Sequence, residues 1–239
     1  MPVDRVTLAE ATETASQWIT DGGSPRLGLA VNAGKAESMR RDATLRAVAA
    51  RADLLFADGV GVVWASRILG DPLPERVPGV ELCGALLERA SERGWRPYLL
   101  GAHQDVLQQL ASQLTERGID LAGMHDGYWS TLSEQDLVAE ISSARPDVLF
   151  VALGSPRQEA FLLRWLDTLD VPFAMGVGGS FDVLSGQKQR APKLFRSSGL
   201  EWAWRFGREP RRLATRRALD LPLWAGRVTL EKISSYTSF

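Results

Sequence analysis

Asp58 closes the apolar run LLFAD at 54–58, and Gly59-Val60-Gly61 and a helix-like stretch follow it. An acid so placed is a carboxylate at the mouth of a β-strand, and three uses fit it there. A dinucleotide fold hooks ribose hydroxyls with such an acid. A helix starting near Val60 takes it as an N-cap. A transfer reaction uses it as a general base. The ribose use also requires G-x-G-x-x-G after the first strand, and here that turn reads VNAGKAESM. The fingerprint is absent, which disfavours a nicotinamide enzyme. Cap and base both stay open on local chemistry.

Two further stretches carry candidate chemistry. In SPRQE, Ser155 as N-cap, Pro156 at the first helical position and Gln158 three residues on read as a capping box. GVGGSFDVLSGQKQRAP at 176–192 has four glycines within eleven residues, then Lys188 and Arg190. That composition suits a loop binding an anion or a sugar, and Phe181, Val183 and Leu184 argue that it is ordered. Metal ligation has little support. His103 and His125 lie in separate segments, there is no Cys/His cluster, and no D-x-D occurs. An enzyme handling sugar diphosphates without metal or cofactor neutralises phosphate with arginine and backbone N–H groups. No G-x-S-x-G or comparable nucleophile pattern is present.

These residues need a scaffold, and the chain supplies a regular one. Apolar runs at 27–32, 54–58, 97–102, 148–154 and 172–179, with a weaker one at 120–124, alternate with helical periodicity. Continuous rather than alternating apolar content predicts strands covered on both faces. The fold class expected is α/β: a Rossmann-like, mostly parallel sheet flanked by helices, with a basic helical C-terminal appendage. Ligands of such sheets bind at the carboxyl ends of the strands. The strand exits are therefore candidate binding positions: Asn32, Asp58-Gly59, Gly101, Gly154, and Gly178-Gly179. After Gly199 the strand–helix rhythm stops. We divide the chain into a core at 1–196 and an Arg/Trp-rich appendage at 197–239.

Composition fits a globular protein of 239 residues, 45% hydrophobic and 24% charged. The single cysteine, Cys83, falls on the apolar face of VELCGALLERA and reads as core; one cysteine suits a reducing compartment. The N-terminus has no signal-peptide pattern, and no run approaches the roughly 18 apolar residues of a membrane span. The net charge of −1 hides an asymmetry: from Arg190 onward the chain carries +7, and the rest −8. In EWAWRFGREPRRLATRR the cations are interleaved with Trp202, Trp204 and Phe206, a mixture suited to an anionic membrane surface. No nucleic-acid motif accompanies the charge.

Taken together, FADGVGVVWASRILG, PERVPGVEL, LGAHQDV, HDGYW, VLFVALGSPRQEAF, GVGGSFDVLSGQKQRAP and GLEWAWRFGREPRRL resemble, in order, the WecG/TagA/CpsF family of bacterial glycosyltransferases. The matching pieces run from about residue 26 to 217. The resemblance implies an inverting, metal-independent transfer from a UDP-sugar donor onto a polyprenyl-diphosphate-linked saccharide. It places the enzyme at the cytoplasmic membrane surface and implies self-association. Within the family the sugar is N-acetylmannosamine in teichoic acid synthesis, its uronic acid in another branch, and hexoses in exopolysaccharide assembly.

Carried over by position, Asp58 matches the family's catalytic base and Gln158 a substrate contact. Arg76 and Gly79 match the R-x-x-G that follows D-G-x-G. Arg205 and Arg212 match appendage arginines that hold the diphosphate, with Arg216 beside Thr215 where a third is expected. One departure stands out: many relatives carry Thr where this chain has Ala30, while Asn32 is retained. A non-catalytic sugar-nucleotide or lipid-binding module that keeps the fold is the alternative reading.

Overall fold

The computed structural model of the chain describes residues 3–129, 132–189, 192 and 223–230. Six strands form one sheet: β1 (Arg26–Val31), β2 (Leu54–Ala57), β3 (Pro97–Gly101), β4 (Gly123–His125), β5 (Val148–Ala152) and β6 (Phe173–Gly176). Their order is β2-β1-β6-β5-β3-β4, and every pairing is parallel. The expected Rossmann-like α/β sheet is therefore present, and it is parallel throughout.

Parallel strands need crossovers, and helices supply them. The helices α1 (Leu8–Asp21), α5 (Gly79–Arg93), α6 (Gln104–Glu116) and α9 (Ser180–Leu184) cover one face. The other face carries α2 (Ala33–Met39), α3 (Ala43–Arg51), α4 (Val60–Leu69), α7 (Glu134–Ala144) and α8 (Arg157–Leu169). Strand side chains alternate between the two layers: in β5, Val148 and Phe150 join the first core and Leu149 and Val151 the second. With both faces buried there is no polar alternation to read, which is why the strands appear as unbroken apolar runs. Cys83 is fully buried on α5, and burial pushes its thiol pKa well up, so it is a core residue rather than a nucleophile.

The weak expectation at 120–124 shifts to 123–125, an edge strand with Gly123 and His125 only partly buried and Met124 exposed. A tenth helix among the described residues, α10, spans 223–230. It lies against the core: Arg227 Nε is 3.2 Å from a carboxylate oxygen of the buried Glu37 on α2. The Trp224 ring sits beside Gly61, 3.5 Å from where a Cβ would project. None of the described helices is long and apolar enough to cross a membrane.

Candidate active site at the carboxyl edge of the sheet

The chain leaves β3 and β6 toward one face and β1, β2 and β5 toward the other. Where neighbouring strands send their connections apart, a crevice opens at the carboxyl edge. Most of the candidate residues lie along that edge, in three groups.

The first group gathers at the exits of β1 and β2. The Asp58 N–H donates to Val31 O at 2.9 Å, extending the ladder by one residue. Gly59, not Asp58, occupies the N-cap of α4, and no side chain caps that helix. The local capping reading is thereby corrected. The carboxylate instead faces the loop that precedes α5. Val77 N–H donates to Ala57 O at 2.8 Å, drawing that loop along the end of β2. Gly79, the first residue of α5, then donates its N–H to Asp58 Oδ1 at 2.9 Å.

A helix start has N–H groups without internal partners, and a side-chain oxygen placed there satisfies one of them. Half-buried Asp58 is therefore fixed from one side and left at the mouth of the sheet. Arg76, also half-buried, lies in the same loop, one residue before Val77. Asn32 caps α2 by accepting the Lys35 N–H at 3.0 Å. A Cβ at Gly59 would stand 3.0 Å from Asn32 Cβ, so the two strand exits touch. A Cβ on Gly79 would meet Ala30 Cβ at 3.8 Å and Asp58 Oδ1 at 4.0 Å, so Ala30 lies against the start of α5 beside Asp58.

The second group surrounds the exit of β6. Here the capping box expected at 155–158 is not formed. α8 begins at Arg157 with Pro156 as N-cap, and no side chain caps it. Gln158, buried to 3% exposure, turns inward, where its Oε1 accepts the Gly178 N–H at 3.0 Å. Its Nε2 donates to Glu159 Oε1 at 3.0 Å, and Lys35 Nζ reaches that same oxygen at 2.8 Å. A tertiary partner has outcompeted the local cap. Gly179, exposed, follows Gly178 into α9. Phe181 is fully buried there, at the start of α9.

The third group lies at the ends of β3, β4 and β5. Gly101 adopts φ +112°, and a Cβ would fall 2.5 Å from the Ala152 carbonyl. The close approach that Gly101 permits is thus to the neighbouring strand. Gly154 is exposed at φ +75°, and its carbonyl accepts the Gln158 N–H at 3.0 Å. Beyond β3, the His103 ring stacks on Tyr128 with centroids 4.4 Å apart and planes 20° from parallel. Tyr128 is 63% exposed and His103 is exposed as well, so the stack stands at the surface. His125 meets Trp129 edge-on, and the Arg157 guanidinium lies 5.8 Å over the Trp129 ring.

His103 and His125, weighed above only as metal ligands, thus belong to an aromatic cluster that no local sequence pattern marks as a unit. The HDGYW segment was its one visible signal. Among the described residues no three metal-ligating side chains converge. Arg190, Arg205, Arg212 and Arg216 lie outside the described residues, as does most of the 197–239 appendage.

Comparison with known proteins bears on what this edge does. A family model described as glycosyl transferase WecG/TagA/CpsF matches residues 1–238. A relative from Bacillus spizizenii (strain W23) is 37% identical over 178 residues, covering 74% of this chain and 68% of the relative. It is named N-acetylglucosaminyldiphosphoundecaprenol N-acetyl-beta-D-mannosaminyltransferase. With an all-parallel sheet, a carboxylate fixed at its carboxyl edge and a match along nearly its whole length, the chain belongs to the WecG/TagA/CpsF family of glycosyltransferases.

Proposed function

We propose that this glycosyltransferase moves a sugar of the N-acetylmannosamine type, or another hexose, from a UDP-sugar onto a polyprenyl-diphosphate-linked saccharide, with Asp58 as general base. The observation that carries the reading is the Asp58–Gly79 contact of 2.9 Å, which fixes one carboxylate at the exit of β2, beside the exit of β1. The relative's name supports the sugar and the lipid-linked acceptor.

In a single displacement the acceptor hydroxyl attacks the anomeric carbon and its proton passes to Asp58. The bond from that carbon to the diphosphate oxygen breaks, and UDP leaves with the electron pair. Attack opposite the leaving group inverts the centre, so one base is sufficient. Exposed Gly179, which follows Gly178 at the β6 exit, would face the diphosphate through its backbone N–H, with arginine supplying the countercharge. The exposed face of the His103–Tyr128 stack suits the uracil ring.

The basic appendage at 197–239 would rest on the inner face of the cell membrane, where the acceptor's lipid is held. At about 1 kcal/mol per basic residue near an anionic surface, the excess of +7 from Arg190 onward supports reversible attachment. The test is a donor screen: several UDP-sugars with a lipid-diphosphate-GlcNAc acceptor, UDP release being followed with and without EDTA. Release with UDP-N-acetylmannosamine, unchanged by EDTA, is expected. Absence of release with every UDP-sugar would sink the donor assignment.

A further inference from the structure

The buried ion pair between α2 and α8 has no part in the transfer just described. Lys35 Nζ and Glu159 Oε1 are 2.8 Å apart, with side chains only 8% and 1% exposed. These helices follow β1 and β5, the strands on either side of β6, so the pair bridges beneath the β6 exit. Replacing such a pair with apolar side chains is often neutral or stabilising, so fold stability alone gives little reason to keep it. Moreover, Glu159 Oε2 is buried without a hydrogen-bond partner among the described residues. All the described contacts converge on Oε1 instead.

We propose that Lys35 and Glu159 are positioning residues that orient the Gln158 carboxamide and, through it, the glycine turn facing the donor. This inference rests on the UDP-sugar reading of the site. A carboxamide can present either end to a neighbour, and here the ambiguity is removed. Glu159 Oε1, which accepts from Lys35 Nζ, also accepts from Gln158 Nε2 at 3.0 Å. Oε1 is thereby turned outward to accept the Gly178 N–H at 3.0 Å. The fit is close: a Cβ on Gly176 would stand 2.5 Å from that Nε2. Gly178 is held at φ +54° by this contact, and exposed Gly179 follows it. Lys35 in turn holds the Glu159 carboxylate in place, and its own backbone N–H is bonded to Asn32 at the β1 exit. The pair thus ties the β1 exit to the β6 exit.

The test measures UDP binding and donor kinetics on the full chain. Glu159→Gln keeps shape but supplies a donor that lets the Gln158 amide reverse. Its UDP dissociation constant and donor KM should rise about tenfold, the scale of one lost hydrogen bond to a charged ligand, with kcat changed less than about threefold. Lys35→Met should move the same constants in the same direction, and it decides the matter alone if Glu159→Gln does not fold. Lys35→Arg, which keeps the charge pair, should recover most of the affinity.

Folded variants that bind UDP as the wild type does would overturn the positioning role. So would a loss confined to kcat or to the folded fraction. A wild-type chain that does not bind UDP would instead overturn the donor reading on which the inference rests.

Discussion

Asp58 Oδ1 receives the N–H of Gly79 at 2.9 Å, although the two residues are 21 positions apart. The acid at the end of β2 is therefore tied to the start of α5, on the far side of the loop that carries Arg76. This contact gives Asp58 a structural duty, and substitution can separate it from the proposed chemical one.

Asp58→Asn retains an oxygen for the Gly79 N–H but cannot take a proton. Transfer should fall by roughly 10²–10⁴, the usual contribution of a general base, while UDP affinity and melting temperature stay near wild type. Asp58→Ala should lose the same activity and also about 1 kcal/mol of stability, because the α5 start loses its acceptor. Full transfer by Asp58→Asn would remove the residue from catalysis.

Gly101 and Gly79 should respond oppositely to alanine. At Gly101 a Cβ would meet the Ala152 backbone at 2.5 Å from a φ of +112°, so Gly101→Ala should cost about 3 kcal/mol or more. For a chain of this size that is a drop in Tm of about 6 °C or more. At Gly79 the nearest atoms would be 3.8 and 4.0 Å away, ordinary contact distances. Gly79→Ala should leave stability unchanged or slightly raised, because alanine is the better helix former. Thermal denaturation of the two variants checks the contrast.

Tyr128 should matter to donor binding and not to folding. Its ring is 63% exposed, so Tyr128→Ala should shift stability by less than about 0.5 kcal/mol. Loss of the stacking face should weaken UDP binding by about tenfold, the lower end of what base stacking on an aromatic contributes. Titration with UDP and with inorganic diphosphate distinguishes the base from the phosphates; only the former should lose affinity.

Attachment to lipid should be electrostatic in large part. Vesicles containing anionic lipid should retain the chain at 0.1 M salt, where the screening length is about 10 Å, and release most of it near 0.5 M. Neutral vesicles should retain much less. Binding that ignores both salt and lipid charge would refute the role given to the +7 excess.

Much of the architecture was legible because parallel strands buried on both faces have to be apolar throughout, and the β1, β2, β3, β5 and β6 runs were. β4 was the weak point, since it lies at the sheet edge, with Gly123 and His125 only partly buried and Met124 exposed. The site was legible where a residue's position along its own strand decided its place, as for Asp58 and Asn32. It was illegible where the partner came from elsewhere in the chain. Ser155 and Gln158 have the spacing of a cap, yet Gln158 is taken by Gly178, 20 residues on. Lys35 meets Glu159 across 124 residues, and His103 meets Tyr128 across 25, because strand order makes neighbours of distant segments. No local pattern carries that information.

Cys83 is the chain's one cysteine, sealed on α5 with its thiol pKa pushed well up. The protein is thus ready for thiol-directed labelling without first removing a native cysteine. A cysteine introduced at exposed Trp64, on α4 a short way past Asp58, offers a single reactive sulfur on the surface. A maleimide fluorophore placed there would report events near the carboxyl edge from one known point.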